Sequence, residues 1–202
     1  SLVTVDEAHC IPPWGQDFWP SNLNIVEFVN RLAGRPVVSA FTATATEQVR
    51  DDILCVLGLR SPKVLVTGFD RANLYFEVRT GNKKAELLDY VKEHRTESGI
   101  VYCATRKNVE EVCTMLQMED ILATRYHAGL SAEERKRNQD LFIFDEKPVM
   151  VATNAFGMGI DKSNVRYVVH YNMPQSMENY YQEAGRAGRD GERAECILLY
   201  SP

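Results

Sequence analysis

Two short stretches at opposite ends of the 202-residue chain carry side chains suited to phosphate chemistry. Asp6 and Glu7 follow an apolar, strand-like run and are followed in turn by His9, whereas Arg186 and Arg189 stand in a glycine-rich turn. Neighbouring carboxylates can hold a metal ion and activate a water molecule. Arginines can supply positive charge to a phosphoryl group during its transfer. Together the two stretches predict a split nucleotide-hydrolysis site, although either alone is typical of helix caps and solvated loops.

The composition is that of an ordinary soluble globular protein. Hydrophobic residues make up 45% of the chain and charged residues 25%, and no apolar run approaches the roughly 18 residues of a membrane span. Without a recognisable signal sequence, we expect a cytoplasmic location and no membrane partner. The net charge of -5 argues against a protein whose whole surface binds nucleic acid, but a local groove can still bind a strand of nucleic acid.

The five cysteines are odd in number, widely spaced and without a C-x-x-C pair. This pattern predicts reduced thiols in the core and no zinc site. The residues concerned are Cys10, Cys55, Cys103, Cys113 and Cys196.

Short β-branched runs alternate with amphipathic segments, as expected for an α/β protein with a parallel sheet and helices on both faces. The predicted strands are 2–5, 37–40, 63–66, 99–102, 148–152, 166–170 and 195–199.

Helical spacing of apolar residues indicates buried helix faces in two segments. Thr46 and Thr105 are placed to cap these helices, and Ser131 with Glu134 forms a capping-box pattern that begins a helix at 131–143. The two apolar faces consist of Val49, Ile53, Val56 and Leu57, and of Val109, Val112, Cys113 and Leu116.

Polar residues follow several predicted strands where a ligand would sit in a doubly wound sheet. Thr42 and Thr44 follow strand 37–40, Thr105 follows strand 99–102, and Thr153 follows strand 148–152. Hydroxyls and backbone N–H groups at such positions could contact phosphates. The turns between strands and helices are polar in any such fold, however, and simple capping explains Thr105 equally well.

Trp14 and Phe18 lie in a polar loop bounded by prolines. Large aromatic rings in such a loop are suited to stacking on nucleic-acid bases. The alternative is a small apolar cluster beneath the loop.

A domain boundary is predicted near residues 68–71, which gives domains of 1–68 and 69–202. Residues 1–68 are few for a doubly wound domain to bury an adequate core. The second segment contains four of the predicted strands and at least three helices, which is a complete α/β domain by count.

Six motifs follow one another in a characteristic order. They are Asp6–Cys10, Trp14–Phe18, Phe41–Ala45, Tyr126–Leu130, Ala155–Asp161 and Gln182–Gly191. In this order they resemble the motifs of the RecQ family of superfamily 2 DNA helicases, and the resemblance covers almost the whole chain. The tryptophan-bearing loop after the DEAH sequence distinguishes RecQ-like proteins from DEAD-box and DEAH-box RNA helicases. The resemblance implies RecA-like parallel sheets with flanking helices, as one partial domain followed by one complete domain.

The resemblance also implies roles for the residues of the first domain. Asp6 would hold Mg²⁺ through water, and Glu7 would orient or deprotonate the attacking water. His9 would link the two domains near the γ-phosphate of ATP, although an isolated histidine there is more often a core residue. Trp14 and Phe18 would belong to a loop that senses single-stranded DNA.

In the second domain, the resemblance implies that Gln182 acts with His9 near the γ-phosphate. Arg186 and Arg189 would reach the phosphates, with Arg189 as the arginine finger. Asp161 would contact the ribose of ATP, although an aspartate after a glycine-rich loop is also a common turn former.

The sequence contains no G-x-x-x-x-G-K-S/T motif, which would cradle the phosphates. The chain is therefore expected to be an internal part of a longer ATP-dependent 3′-to-5′ DNA helicase that acts in DNA repair and recombination and is inactive by itself. Its cofactors would be ATP and Mg²⁺, and its partners single-stranded and partially duplex DNA, in the bacterial nucleoid or a eukaryotic nucleus. The alternatives are a single-stranded DNA-binding module without hydrolysis or an inactive truncation.

The strand order implied by the resemblance makes two structural predictions. Strands 2–5 and 37–40 should pair in parallel, whereas strand 63–66 should lack a neighbour and leave an apolar edge. Residues 69–202 should therefore be the stable unit and residues 1–68 the labile one.

Overall fold

A computed structural model describes residues 2–11, 21–32, 34, 36–43, 45–66, 70–157 and 160–201. The chain divides into two compact units, residues 1–69 and residues 70–202. No helix among the described residues is long and apolar enough to cross a membrane.

The first unit is built on two parallel strands, in which Leu2 lies opposite Val37 and Val5 opposite Ala40. This pairing confirms the prediction for these strands. A small core of Val5, Ala8, Ile11, Ile53 and Leu57 packs beneath them. The elements are β1 (Leu2–Val5), a short 3-10 helix (Ala8–Cys10), α1 (Ser21–Arg31), β2 (Val37–Ala40) and α2 (Glu47–Val56).

The prediction of a strand at 63–66 is wrong. This segment forms no strand, and the side chains of Val64, Leu65 and Val66 are 44%, 78% and 69% exposed. A strand requires a hydrogen-bonding partner, and the described sheet of this unit contains β1 and β2 alone. The segment has no neighbouring strand among the described residues, as predicted, and without one it does not form a strand.

Helix α2 begins as predicted, with the Thr46 side chain accepting a hydrogen bond from the Val49 N–H. Ile53 is buried on the face that points to the core. Cys55 is exposed and Cys10 is half-buried, so the prediction that all five cysteines lie in the core is wrong for these two residues. Two positions along a helix correspond to about 200°, which turns Cys55 away from the face that carries Ile53.

The second unit contains a six-stranded parallel sheet in the order β3-β8-β7-β4-β6-β5. The strands are β3 (Leu74–Thr80), β4 (Ser98–Tyr102), β5 (Ala123–Tyr126), β6 (Val149–Ala152), β7 (Val165–His170) and β8 (Ala194–Tyr200). The sequence predicted four of them, and that count is wrong because β3 and β5 were missed. Both are edge strands that carry charged residues, Glu77 and Arg79 in β3 and Arg125 in β5.

Helices cover both faces of this sheet, as predicted. Side chains of α3 and α4 pack with Val101 in one core cluster, whereas Phe142 of α5 and Ala184 of α6 pack with Ile100 in the other. Because neighbouring residues of a strand point to opposite faces, Ile100 and Val101 divide between the two clusters. The helices are α3 (Lys83–Glu93), α4 (Arg106–Met118), α5 (Ala132–Ile143) and α6 (Met177–Ala184).

The capping predictions for this unit are confirmed. The Thr105 hydroxyl accepts a hydrogen bond from the Asn108 N–H, and Ser131 with Glu134 forms the capping box of α5. The predicted apolar face of α4 is buried along its whole length, namely Val109, Val112, Cys113 and Leu116.

Three cysteines of this unit are buried thiols, as predicted. Burial raises the pKa of Cys113 to about 11 and the pKa values of Cys103 and Cys196 to about 12. Thiols with such pKa values stay protonated at neutral pH and are poor nucleophiles.

A buried lysine ties the start of β4 to the segment before β7. The Lys162 side chain is 3% exposed, and its Nζ donates to Asp145 Oδ1 at 2.8 Å and to the Ile143 carbonyl at 3.2 Å. Ser98 Oγ donates to the same carboxylate oxygen. Desolvation opposes ionisation of Asp145, but the hydrogen bonds from Lys162 and Ser98 outweigh it and hold the pKa of this carboxyl below its ordinary range.

Candidate functional site

In the first unit, the candidate site is built where β1 and β2 end. The Phe41 N–H donates to the Val5 carbonyl at 2.8 Å, and the Ala8 N–H donates to the Phe41 carbonyl at 2.9 Å. These bonds continue the pairing past the strand ends. The residues after β1 are therefore held beside the residues after β2.

Asp6 and Glu7 lie at this edge with exposed side chains. Glu7 has a left-handed backbone, with φ 49° and ψ 43°, which non-glycine residues adopt rarely and at a cost of about 1 kcal/mol or more. Its N–H donates to Asp6 Oδ1 at 2.9 Å. The turn thus presents two neighbouring carboxylates to solvent, and Mg²⁺ is usually held by one or two carboxylates together with water and phosphate oxygens.

His9 joins this pair to the end of β2. Its Nδ1 lies 3.0 Å from Thr42 Oγ1 and 3.3 Å from Glu7 Oε2. The His9 side chain is 24% exposed, so it is not the fully buried core histidine of the alternative interpretation. The structure brings together Asp6, Glu7, His9 and Thr42, whereas Trp14, Phe18 and Thr44 lie outside the described residues.

In the second unit, the candidate site is the turn Gly185–Arg189 at the end of α6, here called the arginine turn. Arg186 Nη1 donates to the Gly157 carbonyl at 2.6 Å, and Arg189 Nη1 donates to the Ile160 carbonyl at 2.9 Å. Arg189 also lies 3.7 Å from Asp161, whose side chain is 95% exposed. Arg186, Arg189 and Asp161 therefore meet around one loop after β6.

Gly157 is essential to this arrangement because the Arg186 guanidinium lies directly over it. A Cβ at this position would be 2.1 Å from Arg186 Nη2. Arg186 is half-buried, and its Nε is without a hydrogen-bond partner in the described part of the chain. The Arg189 side chain, at 38% exposure, is the more open to a ligand.

A buried group of aromatic and charged side chains lies behind the arginine turn. Tyr102 donates its hydroxyl hydrogen to the Phe156 carbonyl at 3.0 Å, and burial raises the Tyr102 pKa despite the nearby positive charge of Arg186. The Tyr102 ring stacks on His170, whose Nε2 lies 2.9 Å from Glu183 of α6. Because a carboxylate only accepts, His170 Nε2 is the donor.

The remaining predicted residues occupy the same edge of the sheet or its helices. Gln182 is half-buried on α6. Thr105 is exposed and its hydroxyl caps α4, as the alternative interpretation proposed. Thr153 is 8% exposed and accepts a hydrogen bond from the Ala155 N–H at 3.4 Å, so its hydroxyl shapes the turn after β6.

Sequence reasoning missed the residues that support the arginine turn. Arg71 and Asn73 donate to backbone carbonyls within or just beyond the turn, and His170 and Glu183 hold the preceding helix. The available signal was weak. Arg71 and Asn73 are polar residues directly before a strand, which alone suggests no more than a loop.

Among the described residues, no three His, Cys, Asp or Glu side chains converge on a point that could hold a metal ion. A pair such as Asp6 and Glu7 fits Mg²⁺ that arrives with a nucleotide better than a permanently bound ion.

Comparison with known proteins agrees with these motifs. The helicase conserved C-terminal domain family matches residues 82–191. The chain is 52% identical over 202 residues to an ATP-dependent DNA helicase RecQ of Bacillus subtilis, covering 100% of this chain and 34% of that protein. It is 45% identical to an ATP-dependent DNA helicase RecQ of Pasteurella multocida, covering 100% of this chain and 32% of that protein. The chain thus spans about a third of the length of these bacterial relatives.

Among solved structures, the chain is similar to a variant of Saccharomyces cerevisiae Dbp5 bound to RNA and ADP BeF3. The TM-score is 0.80 at 22% identity, and the match covers 100% of this chain and 54% of that one. At this identity the likeness concerns the fold, which is RecA-like. The family match and the RecQ relatives, and not this likeness of fold, show that the chain carries a helicase conserved C-terminal domain and belongs to the RecQ family of superfamily 2 helicases.

Proposed function

We propose that this chain works as part of an ATP-dependent DNA helicase, in which ATP hydrolysis drives 3′-to-5′ translocation on single-stranded DNA and unwinding of duplex DNA. The observation that carries the proposal is the arginine turn. Both of its arginines donate to the loop that also presents Asp161. Two guanidinium groups beside an exposed carboxylate offer charge for phosphates and an acceptor for a ribose hydroxyl.

Asp6 and Glu7 divide the work on metal and water in this proposal. Asp6 would hold Mg²⁺ through water, and the ion would supply positive charge for the phosphates of ATP. Glu7 orients the attacking water and accepts its proton. The support is that both carboxylates are exposed and lie in one turn at the carboxyl end of β1, where parallel sheets bind ligands.

His9 and Gln182 carry the link between nucleotide and protein conformation. His9 contacts both Glu7 and Thr42, so a change at the carboxylate can be passed to the segment after β2. Gln182 lies on α6, four residues before Arg186 in the turn that follows this helix. This position suits a side chain that senses the same phosphate as the arginine.

Arg186 and Arg189 supply positive charge to the transferring phosphoryl group, with Arg189 as the arginine finger. Arg189 is assigned this role because its side chain is partly exposed and is held by a single carbonyl and a distant carboxylate. Arg186 lies directly over Gly157 and donates to its carbonyl, so it is better suited to fixing the loop while it adds positive charge beside Arg189.

The contacts with DNA are assigned to Thr105 and Thr153 of the second unit and to Trp14, Phe18 and Thr44 of the first. Thr105 is exposed at the start of α4, where backbone N–H groups point outward and attract phosphate. A helicase of this kind would act in repair and recombination, in the bacterial nucleoid or in a nucleus.

A non-hydrolytic module that binds single-stranded DNA is the second candidate function. It is favoured by one observation, namely that Thr105 is exposed at the start of α4, where backbone N–H groups can attract a DNA phosphate without any nucleotide. Such a module would bind DNA without nucleotide, and its affinity would not change when Glu7 is replaced.

The test is DNA-stimulated phosphate release by the full-length protein that contains this chain, together with unwinding of duplexes that carry a 3′ or a 5′ single-stranded tail. The proposal expects DNA-dependent turnover of about 1 s⁻¹ or more, loss of turnover in Glu7→Gln, and unwinding from the 3′ tail. DNA binding without DNA-dependent turnover would establish the non-hydrolytic module instead.

A further inference from the structure

Two residues that precede β3, Arg71 and Asn73, donate hydrogen bonds to the backbone between the two arginines. These hydrogen bonds are here called the grip. Arg71 Nη2 donates to the Ala187 carbonyl at 3.1 Å and to the Gly188 carbonyl at 2.7 Å. Asn73 Nδ2 donates to the Gly188 carbonyl at 2.9 Å and to the Glu192 carbonyl at 2.8 Å. These contacts cross more than a hundred positions of sequence, and they end on the two residues between the arginines and on Glu192 just beyond them.

The two gripping side chains are also fixed to each other and to the sheet. Arg71 Nε donates to Asn73 Oδ1 at 3.3 Å, which sets the direction of the Asn73 amide. The Ala194 N–H donates to the Asn73 carbonyl at 2.9 Å, at the start of β8. The grip is therefore anchored where β3 and β8 begin to pair.

Gly188 has the backbone conformation and the space that this grip requires. Its φ is +55°, and a Cβ there would lie 2.5 Å from Asn73 Nδ2 and 2.7 Å from the Glu192 carbonyl oxygen. Its N–H donates to the Val165 carbonyl at 2.8 Å. Both sides of the Gly188 residue are thus held, which leaves little freedom in the backbone that separates Arg186 from Arg189.

The Arg71 guanidinium is used in an unusual way. A half-buried arginine commonly pairs with a carboxylate, but in the described part of the chain Arg71 forms no salt bridge. Its donors go to two backbone carbonyls and one side-chain amide oxygen. The Arg71 side chain is therefore held by neutral acceptors, two of which belong to the backbone of the arginine turn.

We propose that Arg71 and Asn73 are positioning residues for the arginine turn, which they hold so that Arg186 and Arg189 meet the phosphates at the required angle. This inference rests on the proposed function of the two arginines. A displacement of about 1 Å at a reacting group can cost about 100-fold in rate. Removing either grip should therefore lower kcat strongly while leaving DNA affinity intact.

The informative substitutions are Asn73→Ala, Asn73→Asp and Arg71→Lys. Asn73→Asp keeps the size of the side chain but replaces the donor with an acceptor that faces the Gly188 carbonyl. Arg71→Lys keeps the charge but loses the planar guanidinium, whose Nε reaches Asn73 Oδ1 while its Nη2 reaches the two carbonyls. We expect kcat for ATP to fall about 100-fold in Asn73→Asp and about 10-fold in the other two, with the Kd for single-stranded DNA changed less than about twofold.

Asn82→Ala is the matched control. The Asn82 side chain caps α3 in the same unit, and its loss should lower stability without touching the arginine turn. If Asn82→Ala lowers kcat as much as Asn73→Ala at equal loss of stability, the effect is a general loss of stability and the inference is overturned. Unchanged kcat in Asn82→Ala supports it.

Hydrogen exchange at the Gly188 amide, measured on the 202-residue chain, gives a readout independent of catalysis. Exchange at Gly188 should accelerate in Asn73→Ala while the Val168 amide in β7 is unchanged. Unchanged exchange at both amides would overturn the inference.

Arg189→Ala in the full-length protein separates the two proposals. Intact turnover in Arg189→Ala means that the proposed function of the arginines is wrong. Loss of turnover in Arg189→Ala with normal kcat in Asn73→Asp means that the arginines act but the grip does not position them.

Discussion

Replacement of Gly157 by alanine should disturb catalysis far more than stability. The added Cβ would lie 2.1 Å from Arg186 Nη2 and 2.5 Å from Cζ, where an ordinary contact needs at least 3.4 Å. The guanidinium must therefore retreat by about 1 Å or more, and a shift of that size at a catalytic group can cost about 100-fold in rate. A 100-fold loss corresponds to about 2.7 kcal/mol of transition-state stabilisation.

The stability of the fold should change little because the atoms that clash belong to the flexible end of a long side chain. Gly157 is not in the left-handed region, so alanine introduces no backbone strain there. We expect the free energy of unfolding to change by about 1 kcal/mol or less.

A double-mutant cycle with Arg186→Ala identifies the route of the effect. DNA-stimulated kcat is measured in the full-length protein for Gly157→Ala, Arg186→Ala and the double variant. If alanine at 157 acts by displacing Arg186, then it should have no further effect once Arg186 is gone. An equal loss from Gly157→Ala in both backgrounds would refute the reasoning and point to the loop backbone itself.

Three further predictions concern the folded chain. Asp145→Asn should lower the free energy of unfolding by about 1–2 kcal/mol at pH 7, because it weakens the partner of buried Lys162. The pKa of Asp145 is lower in the folded chain than in the unfolded chain. The stability that the ionised carboxylate contributes is therefore present above the unfolded pKa of about 4 and is lost as the pH falls through the lower folded pKa. Chemical denaturation at several pH values measures this, and a difference in the free energy of unfolding between wild type and Asp145→Asn that grew towards low pH would contradict the prediction. In native-state hydrogen exchange, the amide of Val101 in β4 should be far better protected than that of Val3 in β1, because the first unit has a two-stranded sheet and a small core; equal protection would mean that the first unit is stabilised by other means. The isolated 202-residue chain should hydrolyse ATP negligibly, since it contains no phosphate-cradling motif; DNA-stimulated turnover of about 1 s⁻¹ that disappears in Glu7→Gln would show otherwise.

Much of the fold was predictable because the buried strands are short apolar runs between amphipathic segments. Strand β4 is buried at every position, and its apolar run predicts a strand directly. Strand β3 was missed because an edge strand is paired on one side alone, and this one alternates apolar residues with Glu77 and Arg79. The apolar residues 63–66 predict a strand that the structure does not contain, because apolar β-branched residues do not form a strand without a neighbour to pair with.

The candidate site was predictable to the extent that it follows strand ends. Asp6, His9 and Thr42 come together because β1 and β2 are parallel and end at the same edge. The grip of Arg71 on Ala187 was not predictable, because the two residues are 116 positions apart and a hydrogen bond to a backbone carbonyl leaves no sequence signature on the acceptor. Nor could the sequence indicate that Gly157 makes room for Arg186.

Steady-state turnover and equilibrium ATP binding of Arg189→Ala, measured on the full-length protein that contains this chain, test the central claim most directly. An arginine finger acts chiefly on the charge that develops in the transition state. We therefore expect kcat to fall by about 10³ to 10⁵ while the Kd for ATP changes less than about threefold. Asp161→Ala, which removes the exposed carboxylate 3.7 Å from Arg189, should weaken ATP binding and largely preserve kcat. If Arg189→Ala weakened ATP binding and left kcat intact, Arg189 would be a ground-state ligand and the account of this site would be wrong.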